Sequence, residues 1–316
     1  MQTQKSSPTK EQHMNLGIIG LGRMGANMAR RLRLGNIPLA AFNRSNDVTQ
    51  KLAEESGVTA MNSIEALVQS LSAPRVVWLM LPAGETTQEH IDLITPMLDK
   101  GDVIVDGANS CYKDSISRAA ALEGTGIDYI DAGVSGGVWG LANGYAMMVG
   151  GTKEAFAKIE EYIKVLAPGA DKGWMHCGPV GSGHYTKMIH NGIEYGMMQA
   201  FAEGFSLLKN RDDFNLDLAK VAEMWRHGSV VRSWMLDLSA EFLNEDQDLD
   251  EIAPFVADSG EGRWTAIEAI EQGIPSPVMT LALMARFESQ GKATYGNKML
   301  SMMRKGFGGH AVKSKD

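Results

Sequence analysis

"NLGIIGLGRMG", residues 15–25, sets a run of apolar residues directly ahead of a G-x-G-x-x-G pattern. The run reads as a buried strand, and residues 23–35 continue as a helix. A glycine-rich turn between a strand and a helix is where doubly wound sheets hold a dinucleotide. Gly20 permits the tight turn, Gly22 lets the backbone approach a pyrophosphate, and Gly25 lets the helix pack close to the strand. Leu21, Arg23 and Met24 complete the turn. The helix N-terminus behind them offers unpaired N–H groups and a positive dipole end. An incidental glycine-rich turn is the alternative reading.

Further strand-like runs follow at "PLAAFN" (38–43), "RVVWLML" (75–81), "DVIVDG" (102–107), "IDYIDAG" (127–133) and "YAMMVGG" (145–151). Helical stretches separate them, which predicts an α/β fold with a mostly parallel, Rossmann-type doubly wound sheet. Beyond about residue 180 the strand-like runs stop, and Ala, Leu, Met and Glu recur at helical spacing through 300. The expected organisation is a disordered polar leader at 1–14, a dinucleotide-binding domain at 15–180 and an all-helical C-terminal domain at 181–316. The boundary falls in the glycine- and proline-containing "HCGPVGSGH" (176–184), read as a loop.

Composition narrows the function class. The 316 residues carry a net charge of −8, which argues against a nucleic-acid-binding surface. No apolar run reaches the length of a membrane span, and the N-terminus lacks the apolar core of a secretory signal. Only Cys111 and Cys177 are present, so no disulfide framework is implied and a reducing cytoplasm fits. The methionine pairs in "YGMMQ" and "LSMMRK" read as core filler. No metal is expected, because His176 and Cys177 lack nearby partners and "NEDQDLDE" (244–251), a solvated face, lacks the central glycine of a calcium loop.

The end of the second strand bears on the cofactor. An NAD enzyme usually places Asp or Glu there, whereas this chain has "FNRS" (42–45). Arg44 suits a 2′-phosphate, with Asn43 and Ser45 hydrogen-bonding around it, so NADP is favoured. A solvated Arg44 with NAD accepted is the other reading. Leu81, Pro82 and Ala83 follow a strand and are expected to line the same cofactor. "DGANS" (106–110) and "GVSGGVWG" (133–140) also follow strands, placing Asn109, Ser135, Gly136 and Gly137 where a polar ligand gathers. Read by themselves, loops of this kind are more often plain turns.

"HYTKMIHNGIEYG" (184–196) looks helical, yet it lines up Lys187, His190, Asn191 and Glu194 along one side. A lysine desolvated beside a nicotinamide becomes a usable base. Glu194 lies two turns on, about 10 Å along the axis, where it could serve the other end of one small molecule. Gly192 and Gly196 would give room where a ligand or another backbone comes close. A structural ion pair around a core histidine satisfies the same spacing.

These motifs resemble those of the decarboxylating 6-phosphogluconate dehydrogenases. "GHYTKMIHNGIEYG", "FNRS", "DGANS", "GVSGG", "GRWTAIEAIEQGIP" and "RKGFGGH" each match a family motif, in order, over residues 15–310. The chain is similar to a short form of that family. The resemblance implies oxidation and decarboxylation of 6-phospho-D-gluconate to ribulose 5-phosphate, using NADP or NAD. It implies Lys187 as general base, Glu194 as general acid, and His190 and Asn191 as contacts near the reacting carbons. Asn109, Ser135, Gly136 and Gly137 take the carboxylate and hydroxyl contacts, Asn109 also touching the cofactor. Tyr195 and Arg286 match phosphate-binding positions. Arg304 and His310 match tail residues inserted into a neighbouring subunit's site, which implies a homodimer or homotetramer. Where long members carry Lys and Thr near the phosphate, this chain has Ser259 and Glu261. Either Glu261 points away, or phosphate binding is reorganised around Arg286, Arg304 and His310. The runner-up is a non-decarboxylating β-hydroxyacid dehydrogenase of the 3-hydroxyisobutyrate type.

Overall fold

The structure is a computed structural model and describes residues 14–308 and 310–313. The expected leader, apart from Met14, and Gly309 of the tail motif lie outside the described residues. The chain divides into two compact units, Met1–Met188 and Ile189–Asp316.

The first unit is built on strands β1 (Leu16–Ile19), β2 (Leu39–Phe42), β3 (Thr59–Ala60), β4 (Val76–Leu79), β5 (Val103–Asp106), β6 (Asp128–Ser135), β7 (Ala146–Gly150) and β8 (Trp174–Gly178). Their order is β3-β2-β1-β4-β5-β6-β7-β8, and every pairing is parallel except the antiparallel β6–β7. Helices α1 (Arg23–Leu34), α2 (Asn46–Ser56), α3 (Ile64–Ser70), α4 (Glu85–Ile94), α5 (Tyr112–Ala121), α6 (Gly140–Asn143) and α7 (Lys153–Leu166) connect them.

The central strands are buried at every residue, as expected for parallel strands covered on both faces. Alternation along the strands then feeds two cores. Leu16, Ile18, Trp78 and Val105 join Met28, Leu32, Ile159 and Ile163 on one face. Ile19, Val77, Leu79 and Ile104 join Leu67 and Ile91 on the other. The strand order reverses between β1 and β4, so the carboxyl ends of these two strands flank the crevice of a doubly wound sheet.

Helix α8 (Ser182–Lys209) begins in the first unit and runs into the second. The second unit continues with α9 (Leu218–Arg226), α10 (Trp234–Glu245), α11 (Glu261–Gln272), α12 (Pro277–Ser289) and α13 (Thr294–Gly308). Leu218, Ala222, Leu236, Ala240 and Leu243 pack with Phe201 and Phe205 in one cluster, and Tyr195, Ala266, Ala282 and Leu283 form another. Side-chain caps start two of these helices, Asp217 accepting from Lys220 N and Ser233 from Leu236 N. Among the described residues no helix is long and apolar enough to cross a membrane.

Three expectations change. His176 and Cys177 lie in strand β8 rather than in a loop. As an edge strand, β8 needs no continuous apolar run, and it is held by pairing with β7 and by Trp174 and His176 stacking on Phe156 at 5.9 and 4.8 Å. β3 has only two residues, too short to leave a periodic signal. Met197, Met198, Met302 and Met303 are exposed in the single chain and fill no core.

Candidate active site

The dinucleotide turn is built by close packing. Gly20 takes φ +96°, and a Cβ there would stand 2.4 Å from the Met80 carbonyl oxygen. A Cβ at Gly25 would stand 2.1 Å from the Gly20 carbonyl oxygen, so helix and turn meet at a distance that no side chain permits. Gly22 is different: nothing lies within 4 Å of its Cβ position. It caps α1 without a side-chain hydrogen bond, leaving the first turn open to an anion. Gly22, Arg23, Met24 and Gly25 line a cleft of about 330 Å³ with Met80, Leu81, Gly107, Ala108, Asn109 and Val134. Bare backbone, a free helix start and an apolar wall fit a dinucleotide.

The "FNRS" residues divide their work. Asn43 Oδ1 accepts from Leu21 N at 3.0 Å, so its side chain orders the glycine turn. Ser45 caps α2 with no side-chain hydrogen bond, and Arg44 is exposed. Of the residues after β4, Pro82 is fixed by Thr87, whose hydroxyl donates to its carbonyl at 2.8 Å.

A buried polar network lies under the "DGANS" loop. Asp106 ends β5 fully buried, and its carboxylate accepts from Arg118 Nη1 at 2.8 Å, the Tyr129 hydroxyl at 2.8 Å and Ala108 N at 3.0 Å. Arg118 also donates to Ser110 Oγ at 3.1 Å and to the Gly84 carbonyl at 3.0 Å. It thereby ties the loop after β5 to the loop after β4. Burial disfavours the Arg118 charge, but Asp106 and Tyr129 together more than compensate and leave its pKa raised. Burial, reinforced by Asp106, holds Tyr129 in its neutral form with a pKa well above the usual tyrosine value. Asn109 is exposed at the rim above this network.

On β6, Asp131, Gly133 and Ser135 share one face by the two-residue period. Asp131 accepts from Gly181 N and His184 N, both at 2.7 Å, at the start of α8. A Cβ on Gly133 would stand 2.5 Å from Lys187 Cβ. Lys187 is buried at 8% exposure. Gly136 and Gly137, with φ of +144° and +53°, turn the chain after Ser135.

In the second unit, His190 Nδ1 lies 2.9 Å from Asn191 Oδ1 and 3.8 Å from Glu194 Oε2. These side chains are half-buried, not buried. Gly192 serves a neighbouring side chain: a Cβ would meet Thr265 Cγ2 at 2.7 Å. Tyr195 is buried, with Arg286 stacked 3.4 Å over its ring and its hydroxyl 3.2 Å from Ser259 Oγ. Ser259 Oγ donates to Glu261 Oε2 at 2.7 Å, and Glu261 is buried in the first turn of α11. Glu261 therefore faces Ser259 within its own unit rather than pointing to solvent. Arg304 and His310 are exposed. Among the described residues no group of three His, Cys, Asp or Glu is placed to hold a metal.

Two family models match, one described as the NAD binding domain of 6-phosphogluconate dehydrogenase over residues 15–178 and one as the 6-phosphogluconate dehydrogenase C-terminal domain over 183–315. The chain belongs to the 6-phosphogluconate dehydrogenase family. A decarboxylating, NAD(+)-dependent 6-phosphogluconate dehydrogenase of Haloferax volcanii is 40% identical over 304 residues, covering 96% of this chain and 100% of that one. A solved Plasmodium falciparum 6-phosphogluconate dehydrogenase, studied with NADP+ and with substrate, is 30% identical with a TM-score of 0.81, covering 96% of this chain and 67% of that one. A Mycobacterium tuberculosis 3-hydroxyisobutyrate dehydrogenase shares the fold at 20% identity and a TM-score of 0.68, covering 90% of this chain and 94% of its own.

For a member of this family, sequence reading missed Asp106, Arg118 and Asp131. A signal was present for the two acids, Asp106 closing the apolar run "VIVD" and Asp131 lying inside strand β6, while Arg118 on α5 carried none. A charge in a buried strand requires a partner.

Proposed function

We propose that Lys187 and Glu194 are the base and acid of an oxidative decarboxylation of 6-phospho-D-gluconate to ribulose 5-phosphate and CO2. The protein is an NAD(P)-dependent oxidoreductase of the 6-phosphogluconate dehydrogenase family. A dinucleotide held in the cleft by Gly22, Arg23, Met24 and Asn109 would supply the hydride acceptor for C3, and Lys187, entering neutral, takes the C3 hydroxyl proton. The resulting β-keto acid loses C1 as CO2, and the electron pair of the broken C1–C2 bond forms the C2=C3 double bond as the C3 carbonyl oxygen takes up charge. Protonated Lys187 donates a hydrogen bond to that carbonyl oxygen and stabilises the enediol. Glu194 then delivers a proton to substrate C2, which becomes C1 of ribulose 5-phosphate. Asn109, Ser135, Gly136 and Gly137 bind the carboxylate and hydroxyl end of the substrate, and His190 and Asn191 flank the reacting carbons.

The observation that carries this reading is Lys187 buried against the backbone of Gly133, beside the cleft-lining strand β6. Arg44, exposed ahead of α2, supports a preference for NADP over NAD. Tyr195 and Arg286 take the phosphate, with Arg304 and His310 contributed by a second copy in a homodimer or tetramer. The exposed apolar residues Val278, Leu281, Met299 and Leu300 on α12 and α13 support such self-association. The test is the yield of CO2 per dinucleotide reduced on 6-phosphogluconate. A ratio of about one is expected from the chemistry above; reduced dinucleotide without CO2 would favour the 3-hydroxyisobutyrate type.

A further inference from the structure

Helix α8 begins without a side-chain cap of its own, because Gly181 occupies the position where Ser, Thr, Asp or Asn normally accepts from the first free N–H groups. The acceptor comes from the sheet. Asp131 of β6 is fully buried, and its two oxygens divide the work, Oδ1 taking Gly181 N and Oδ2 taking His184 N. A carboxylate at this end also faces the positive end of the helix dipole. Two further contacts hold the same turn. A Cβ on Gly183 would stand 2.5 Å from the carbonyl oxygens of both Asp131 and Met148, so the helix rests on bare backbone of β6 and β7. His184 is buried, and its Nδ1 lies 2.7 Å from Ser115 Oγ on α5.

Lys187 follows His184 by one turn, and its stem lies over Gly133, two residues along β6 from Asp131. The strand therefore does two things on one face. It grips the start of the helix at Asp131 and seats the lysine stem at Gly133. A shift or rotation of the first turn would move the lysine amine with it.

We infer that Asp131 is a positioning residue for Lys187: it fixes the depth and rotation of α8 on β6 without touching substrate or cofactor. The inference rests on Lys187 being the base. Asp131→Asn keeps the size but sets an amide NH2 against one of the two N–H donors, so one hydrogen bond of the pair is lost in either orientation.

The experiment is single-turnover dinucleotide reduction on the full chain, comparing wild type, Asp131→Asn and Lys187→Met. For Asp131→Asn the rate constant is expected to fall about 10- to 100-fold, with dinucleotide affinity within about twofold, because a small misplacement of a reacting group costs that much. A merely structural role would lower only the amplitude, through fewer folded molecules, and leave the rate constant at the wild-type value; that result overturns the inference. Should Asp131→Asn yield no folded protein, Asp131→Ser decides by the same readout, since one short hydroxyl cannot accept from both Gly181 N and His184 N. A slowed rate constant supports the positioning role, and an unchanged one overturns it. If Lys187→Met keeps the wild-type rate, the base assignment itself fails. If Lys187→Met is inactive and Asp131→Asn is unchanged, only the positioning role fails.

Discussion

Lys187 and Glu194 sit on one helix in different surroundings. Around Lys187 the structure is closed: a buried carboxylate holds the helix start, glycines bring backbone against backbone, and the lysine is 8% exposed. Around Glu194 it is open, with the side chain 39% exposed and 3.8 Å from His190. The difference fits the two proton transfers proposed for these residues. A base that works as hydride leaves the same carbon has to be held in register with it. An acid that delivers a proton after CO2 has gone tolerates a looser seat.

The largest effect tests the closed end. Lys187→Met is expected to lower kcat by about 10³- to 10⁴-fold. Dinucleotide binding, followed by fluorescence, should stay near the wild-type value. Next is the buried pair beneath the "DGANS" loop. Arg118→Met leaves Asp106 charged and without its cation in a fully buried place. Breaking such a pair costs about 3–5 kcal/mol, to be read from denaturant unfolding. A loss under about 1 kcal/mol would mean that water reaches Asp106 and that this side of the cleft is not closed.

A smaller effect lies at the cofactor rim. Arg44→Ala is expected to raise KM for NADP about 10- to 100-fold, the worth of charge-assisted hydrogen bonds, while KM for NAD stays within about twofold. Equal effects on both would remove Arg44 from cofactor choice. The smallest belongs to the open unit. Asp258 accepts from Gly260 N at 3.0 Å and Arg263 Nη2 at 2.7 Å. Burial pushes its pKa up, but Arg263 and the Gly260 N–H outweigh that and hold it below the usual aspartate value. A depressed carboxylate stabilises the fold above its unfolded pKa, and that contribution is lost as pH falls through the lower folded value. Asp258→Asn should therefore cost about 1 kcal/mol at pH 7 and little at the acid end, measured by unfolding across pH.

The same contrast explains what could be read from sequence. The glycine turn and the central strands were legible because each obeys a local rule: apolar runs for buried strands, and glycines where backbones meet. The spacing of Lys187 with His190, Asn191 and Glu194 marks it only as a candidate, since a structural ion pair satisfies the same pattern and the resemblance alone favours a base. The seat of Lys187 was not legible, because Asp131 and Gly133 are more than fifty residues away and meet α8 only through the fold. Asn43 was read as a cofactor contact, yet its oxygen is engaged by Leu21 N, a pairing across two loops that no local pattern encodes. β8 escaped because an edge strand can be polar and still pair. The exposed methionines of α8 and α13 looked like core because periodicity marks an apolar face without saying what covers it.

The most direct test of the division between the two ends of α8 is single-turnover dinucleotide reduction in Glu194→Gln and Lys187→Met, run side by side on 6-phosphogluconate. That division predicts a full burst of reduced dinucleotide from Glu194→Gln, since its proposed role follows hydride transfer, and none from Lys187→Met. A burst from Lys187→Met, or its absence from a folded, dinucleotide-binding Glu194→Gln, would contradict it.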